Sequence, residues 1–311
     1  MSNLKTNNYQ FYTPRYWPAW IAVGILWLLS QLPYSFLLIL GKHVGLIMHR
    51  FCGKLKHIAK TNVDLCFPEL TSAAKEKLLR ENFVSLGISI FESGLAWFGS
   101  NKKLLKLKHS HYEGVLDQLE KTDKGSILLG AHFMTLEIIG RLFAHDHDFV
   151  IIYRANKNSF VDYLLTRVCR RHYPCMIERS NIRAILKALK NGGNVWYTPD
   201  IDAGYYNNVF VPFFGILASS LTAPARMAKL TGAKVIPTAY YRRDDGTGYD
   251  LFCFPALNDF PSENLDKDIS RVNQSLEDAI RKKPEQYLWQ YKRFKTRPEG
   301  EPRFYKKEEM K

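Results

Sequence analysis

Apolar positions along the chain follow one spacing before about residue 125 and another after it. No charged residue occurs between Arg15 and Lys42, and the interval reads YWPAWIAVGILWLLSQLPYSFLLILG. A membrane span needs roughly 20 apolar residues, so residues 17–40 are predicted to form a single membrane-anchor helix, kinked or ended by Pro33. Trp17, Trp20 and Tyr34 suit the membrane–water boundary. Further on, Thr71 or Ser72 can cap a helix whose residues Leu79, Phe83, Leu86 and Ile90 fall at spacings of four, three and four. That spacing makes one apolar helical face.

After residue 125 short apolar runs alternate with helix-length segments. The runs are SILLG, FVIIY at 149–153, NVWYT at 194–198, KVIPTAYY at 234–241 and YDLFCF at 249–254. Helical patterns fill 134–144, 159–173, 181–191, 217–231 and 265–283. This alternation predicts an α/β fold, with a mostly parallel central sheet flanked by helices. The division expected is an N-terminal region over 1–41 and one catalytic domain over 42–311.

Charge and cysteine content narrow the classes. The formal net charge is +14 over 311 residues, which favours anionic partners such as nucleic acid, an acidic membrane face, a phosphorylated lipid or an acidic protein. Five cysteines, without any C-x-x-C spacing, argue against a zinc ribbon or a secreted disulfide framework. Lys42, Arg50, Lys54, Lys56 and Lys60 follow the apolar interval and only Lys5 and Arg15 precede it, which puts the bulk of the chain on the cytoplasmic side.

Ligands of α/β sheets gather beyond the carboxyl ends of the strands. His132 follows the first run, Arg154 the second, and Asp200 and Asp202 the third. Base, cation and carboxylates are therefore expected at one edge of the sheet. His132 and Glu137 are the ionisable pair in GAHFMTLEIIG. Five residues of ideal helix turn through about 500°, which leaves the two on different faces. If His132 lies in the turn and the helix begins just after it, Glu137 can reach back to one imidazole nitrogen and leave the other to accept a proton. Arg154 is expected to bind an anionic group or to orient the site through Asp200. The alternative is a core histidine satisfied by a neighbouring glutamate.

His132-Phe-Met-Thr-Leu-Glu137 matches the H-x4-D/E signature of glycerolipid-type acyltransferases. RYWPAW, NVDLCFPEL at 62–70, ESGLAWF at 92–98, VWYTPDIDAG at 195–204, VFVPFFG at 209–215 and RFKTRPEG at 293–300 widen the agreement over nearly the whole chain. In these blocks the sequence resembles the late acyltransferases of bacterial lipid A biosynthesis, nearest their lauroyl- and palmitoleoyl-transferring branch. The resemblance implies a glycerolipid acyltransferase-like fold and transfer of a fatty acyl chain from acyl-carrier-protein thioester to a hydroxyl on an acyl chain of a Kdo-bearing lipid IVA precursor. It implies action at the cytoplasmic face of the inner membrane, with no metal, no other cofactor and no nucleic acid. His132 then carries the role of base, Glu137 of its acidic partner, and Arg154, Asp200 and Asp202 of substrate-binding or site-organising groups. Departures are YRANKNS, with Ala155 and Ser159 in place of prolines, PDIDAG with Ile201, and Tyr291 where histidine is common. They bear on acceptor or chain-length preference.

Two other readings stand beside this one. An acyltransferase for a glycerophosphate or a mannosyl phosphoinositide would share the chemistry, but the F-P-E-G-T block of the glycerophosphate group is missing. A non-catalytic, membrane-anchored anion-binding protein would use the basic run KRFKTR at 292–297.

Overall fold

A computed structural model describes residues 8–111 and 124–305. The N-terminal part is helical: α1 (Trp17–Ser30), α2 (Tyr34–Phe51), α3 (Gly53–Cys66), α4 (Ser72–Phe98) and the short α5 (Asn101–Leu105). Thr71 caps α4 by accepting a hydrogen bond from the Ala74 amide at 3.2 Å, as its sequence position suggests.

The expected single anchor over 17–40 is replaced by two helices. The chain breaks at Gln31–Pro33, because a proline ring cannot continue a helix through the preceding turn. At 1.5 Å per residue the 14-residue α1 is about 21 Å long, well short of the roughly 30 Å hydrocarbon layer. No single described helix is long and apolar enough to cross a membrane; α2 and α3 qualify together by length and composition, but are bent by 91°. Lys103 bridges the break from outside, donating to the carbonyls of Ser30 (2.7 Å) and Leu32.

Helix α2 runs without interruption through residue 41 and packs along α4 with their backbones in contact. Gly41 and Gly45 on α2 meet Gly87 on α4 so closely that a Cβ on Gly87 would collide with the Gly41 carbonyl and the Gly45 amide. The apolar face of α4 accordingly drifts from the expected set. Leu79 and Phe83 are buried, and burial continues through Ile88 and Phe91 while Ile90 is exposed.

The second part is built on a seven-stranded sheet of order β1-β9-β8-β2-β5-β3-β4. Its strands are β1 (Lys108–His111), β2 (Ser126–Leu129), β3 (Val150–Tyr153), β4 (Cys175–Glu178), β5 (Val195–Tyr197), β8 (Lys234–Arg242) and β9 (Tyr249–Cys253). All neighbours are parallel except β8 and β9, so the sheet is mostly parallel, as the alternation predicts. Flanking it are α6 (Leu136–Phe143), α7 (Ser159–His172), α8 (Ile182–Lys190), α9 (Ala223–Thr231) and α10 (Leu265–Lys282). Every residue of β2 is buried, as a central parallel strand covered on both faces requires.

The expected helix over 217–231 is corrected in its first half. Residues Asn208–Phe213 (β6) and Ile216–Leu221 (β7) form an antiparallel hairpin, and only Ala223–Thr231 is helical. Phe214 and Gly215 both have positive φ, the two-residue turn that matches strand twist.

Two distant parts of the chain are joined by one buried ion pair. Arg242 on β8 donates to both oxygens of Glu92 on α4, at 2.6 and 2.7 Å, and also to Ser85. Tyr249 donates to Glu92 at 2.6 Å, and the Gln286 side chain exchanges two hydrogen bonds with the Arg242 backbone. Burial opposes the charge on Arg242, but the Glu92 carboxylate outweighs it and raises the guanidinium pKa. Removing one partner of such a pair costs about 3–5 kcal/mol, because the other charge is left buried. Glu92→Ala should therefore lower the denaturation free energy by about that amount, and equilibrium unfolding in urea measures it.

Candidate active site

Strand register brings two distant residues together. β2 and β5 are parallel neighbours with Leu129 opposite Tyr197. His132 stands three residues beyond Leu129 and Asp200 three beyond Tyr197, so equal offsets from paired residues carry both past the same edge. The result is a two-point contact. The His132 backbone N–H donates to Asp200 Oδ2 at 2.7 Å, and His132 Nδ1 is 2.6 Å from Oδ1.

Asp200 is 1% exposed, whereas the imidazole reaches a cavity. Burial by itself would disfavour the charge on each. The attraction and hydrogen bonds between them win, raising the His132 pKa and lowering that of Asp200. The Tyr287 hydroxyl nearby also favours the charged form of Asp200. With Nδ1 committed to Asp200, the hydrogen-bond partner of Nε2 among the described residues is the Thr198 hydroxyl, at 3.4 Å.

The segment after α10 holds His132 from the other side. Leu288 N–H donates to the His132 carbonyl at 3.1 Å, Met134 N–H to the Gln286 carbonyl at 2.8 Å, and Phe133 bridges Tyr287. Two buried asparagines fix this segment. Asn82 on α4 donates to the carbonyls of Glu285 and Tyr287, and Asn62 on α3 to those of Trp289 and Tyr291. The blocks NVDLCFPEL and ESGLAWF thus supply supports, Asn62 for the segment and Glu92 for the buried ion pair.

Glu137 is not the partner of His132. It opens α6, lines the same cavity, and accepts a hydrogen bond from Trp97 Nε1 at 3.3 Å. Its carboxylate is accessible through the cavity but enclosed by protein, and this desolvation raises its pKa. Arg154 is exposed and lines the cavity, following β3 one strand beyond β5, without a bond to Asp200. Asp202 turns away to the C-terminal segment, where it accepts from the Thr296 amide and hydroxyl, each at 2.9 Å.

Sequence reasoning missed Tyr287, Thr198 and Trp97. Trp97 lies in a block already singled out, ESGLAWF; nothing in the local pattern around Tyr287 marks it. The run KRFKTR also changes character. Arg293 is buried against the Ser219 carbonyl (2.7 Å) and Ser220, and Arg297 against the Leu217 carbonyl, so two of its four cations hold the hairpin rather than face solvent.

The cavity holds about 260 Å³. His132, Glu137, Arg154 and Asp162 give it polar groups, and Phe149, Ile151, Leu165, Tyr173, Met176 and Trp196 give it apolar and aromatic wall. An imidazole with one nitrogen oriented by a buried carboxylate and the other open to such a cavity can accept a proton there.

The pair also sets a pH dependence of stability. A raised histidine pKa stabilises the fold below the unfolded value near 6.5, and this is lost as pH rises through the folded value. A lowered aspartate pKa stabilises above the unfolded value near 3.9, and this is lost as pH falls through the folded value. The pair should contribute most between about pH 4 and 6.5. Asp200→Asn should remove that maximum and lower the His132 pKa, which NMR titration of the imidazole measures directly.

Comparison with known proteins places the chain in a family. The profile of the bacterial lipid A biosynthesis acyltransferase family matches residues 4–296. The chain is 35% identical over 306 residues to a lipid A biosynthesis lauroyltransferase of Escherichia coli, covering 98% of this chain and 100% of that one. It is 36% identical to a lipid A biosynthesis palmitoleoyltransferase of the same organism, covering 95% and 97%. A lipid A biosynthesis myristoyltransferase of E. coli is 27% identical over 96% of this chain and 94% of its own length. With matches that span essentially its whole length, the chain belongs to the bacterial lipid A biosynthesis acyltransferase family.

Proposed function

We propose that the protein transfers a fatty acyl chain from acyl-carrier-protein thioester to a hydroxyl on an acyl chain of a Kdo-bearing lipid IVA-type acceptor. The observation that carries the chemistry is the His132–Asp200 pair with Nε2 open to a cavity of mixed polar and apolar wall. In this reading Nε2 takes the proton as the acceptor oxygen attacks the thioester carbonyl carbon. The tetrahedral intermediate collapses by breaking the C–S bond, and the departing sulfur takes the proton back from His132. Asp200 holds the imidazole in the tautomer that leaves Nε2 unprotonated and stabilises the imidazolium while it exists. Glu137 and Trp97 shape the polar end of the cavity, Arg154 attracts an anionic part of a substrate, and the apolar wall takes the acyl chain. Asp202 organises the site from a distance by tying the loop after β5 to the C-terminal segment.

The proposed location is the cytoplasmic face of the inner membrane. Trp17, Ile21, Ile25 and Leu28 are exposed at spacings of four, four and three, which makes one apolar stripe along α1, and Phe36, Ile39 and Ile47 add exposed apolar groups on α2. A stripe of this kind suits a helix lying in the lipid interface better than one crossing it. Removing residues 1–30 should move most of the protein out of the membrane fraction on sedimentation; full retention would argue against this contact.

The reaction is tested with a defined lipid IVA-type acceptor and carrier-protein thioester, with the product read by mass spectrometry. His132→Ala should lower turnover about 10²–10⁴-fold in a protein that stays folded. Asp200→Asn should also lower turnover and shift the acidic limb of the kcat profile to lower pH, since it removes the charge that raises the His132 pKa. Wild-type turnover by folded His132→Ala would end the mechanism. Equal use of coenzyme A thioester, with a salt-independent KM, would remove the carrier protein as donor and leave acyl transfer standing.

A further inference from the structure

A second pocket of about 300 Å³ lies beside the cavity, lined by Trp97, Ser100, Asn101, Arg141, Arg171 and His172 among others. Trp97 stands between the two, since its indole N–H donates to Glu137 on the cavity side. The charge in this pocket is of one sign. Arg141 is 8% exposed, donates to Asn101 Oδ1 through Nη2, and leaves its buried Nε without a hydrogen-bond partner among the described residues. No carboxylate pairs with it among the described residues. Of its neighbours Arg171 and His172, the first repels it, and the second has its pKa lowered by burial and by both arginines. Both belong to the last turn of α7, where cations complement the helix dipole. That accounts for their position, but not for a buried guanidinium on α6 facing them without a counter-charge. An ion of this size taken out of water unpaired costs several kcal/mol, so buried charges are normally paired.

We propose that this pocket is a binding site for a phosphate group, held by Arg141 and Arg171 with His172, Ser100 and Asn101 around it. Guanidinium forks match the oxygens of phosphate, and the bound anion supplies the counter-charge that Arg141 lacks among the described residues. Proximity to the cavity makes the phosphate part of a substrate. It is either the phosphodiester of the carrier protein's pantetheine arm or a sugar phosphate of the lipid acceptor. This assignment of the source rests on the reaction proposed above; the site itself does not.

The test uses the full chain in detergent and inorganic phosphate as probe, with binding measured by calorimetry at constant ionic strength. Wild type should bind, and Arg141→Gln and Arg171→Gln should each raise Kd about tenfold or more, the loss expected of one charge-assisted hydrogen bond. Arg171 is exposed, so its variant decides the matter even if Arg141→Gln fails to fold. No phosphate binding by wild type, or the same Kd in wild type and folded variants, would overturn the site without touching the acyl-transfer reading. Steady-state kinetics then separate the sources. A raised KM for the thioester alone assigns the pantetheine phosphate, and a raised KM for the lipid alone assigns the sugar phosphate. Unchanged KM for both would overturn its place in substrate binding.

Discussion

A carboxylate buried as deeply as Asp200 keeps its charge only if something nearby repays its lost hydration, and here that is His132. Ring and backbone of the same residue contribute together, so the imidazole is fixed in orientation as well as charge. The remaining structure makes this contact obligatory. Parallel pairing of β2 with β5 sets the offset between the two residues, and the Gln286–Leu288 segment closes on the far side. Asn62 and Asn82 each spend both amide hydrogens on carbonyls of that segment or its immediate continuation, and so extend the same constraint to α3 and α4.

The helical N-terminal part is therefore a component of the body that supports the site. Glycine contacts between α2 and α4 bring the backbones together, and the Glu92–Arg242 pair fastens α4 to β8. The side of α1 away from these contacts carries its exposed apolar stripe. In the membrane contact proposed above, lipid-facing and site-supporting roles fall to neighbouring helices, and α1 lies against the helix that reaches the cavity. Gly94 on α4 lies against Leu26 of α1, and Trp97, one turn further along α4, bonds Glu137.

Charge placement explains why a strongly basic chain does not present its cations uniformly. Arg242, Arg293 and Arg297 are consumed by internal contacts, each tying chain segments far apart in sequence. Arg154, Arg141 and Arg171 instead line pockets. A guanidinium serves both uses because its planar fork can satisfy several acceptors at once.

The amino-acid sequence by itself determined the fold class and the edge at which polar groups collect, because both follow from local patterns. Apolar runs bounded by turn residues mark β2, β3, β5, β8 and β9, and His132, Arg154 and Asp200 each follow one of them closely. The edge strands β1 and β4 escaped notice because an edge strand needs no long apolar run; KHSH has none, and the three apolar residues of CMIE are cut short between Pro174 and Glu178. The hairpin β6–β7 was half hidden for a different reason, since ILASSL can be read at either period. Which carboxylate meets His132 was decided only by the tertiary structure. Glu137 is five residues away along the chain and Asp200 sixty-eight, yet the order of strands makes Asp200 the neighbour. The same holds for the apolar N-terminal interval. Its composition and its break at Pro33 are written in the sequence, but the packing of α2 on α4 is decided only in three dimensions, where the backbones at Gly41, Gly45 and Gly87 approach too closely to admit a side chain at residue 87.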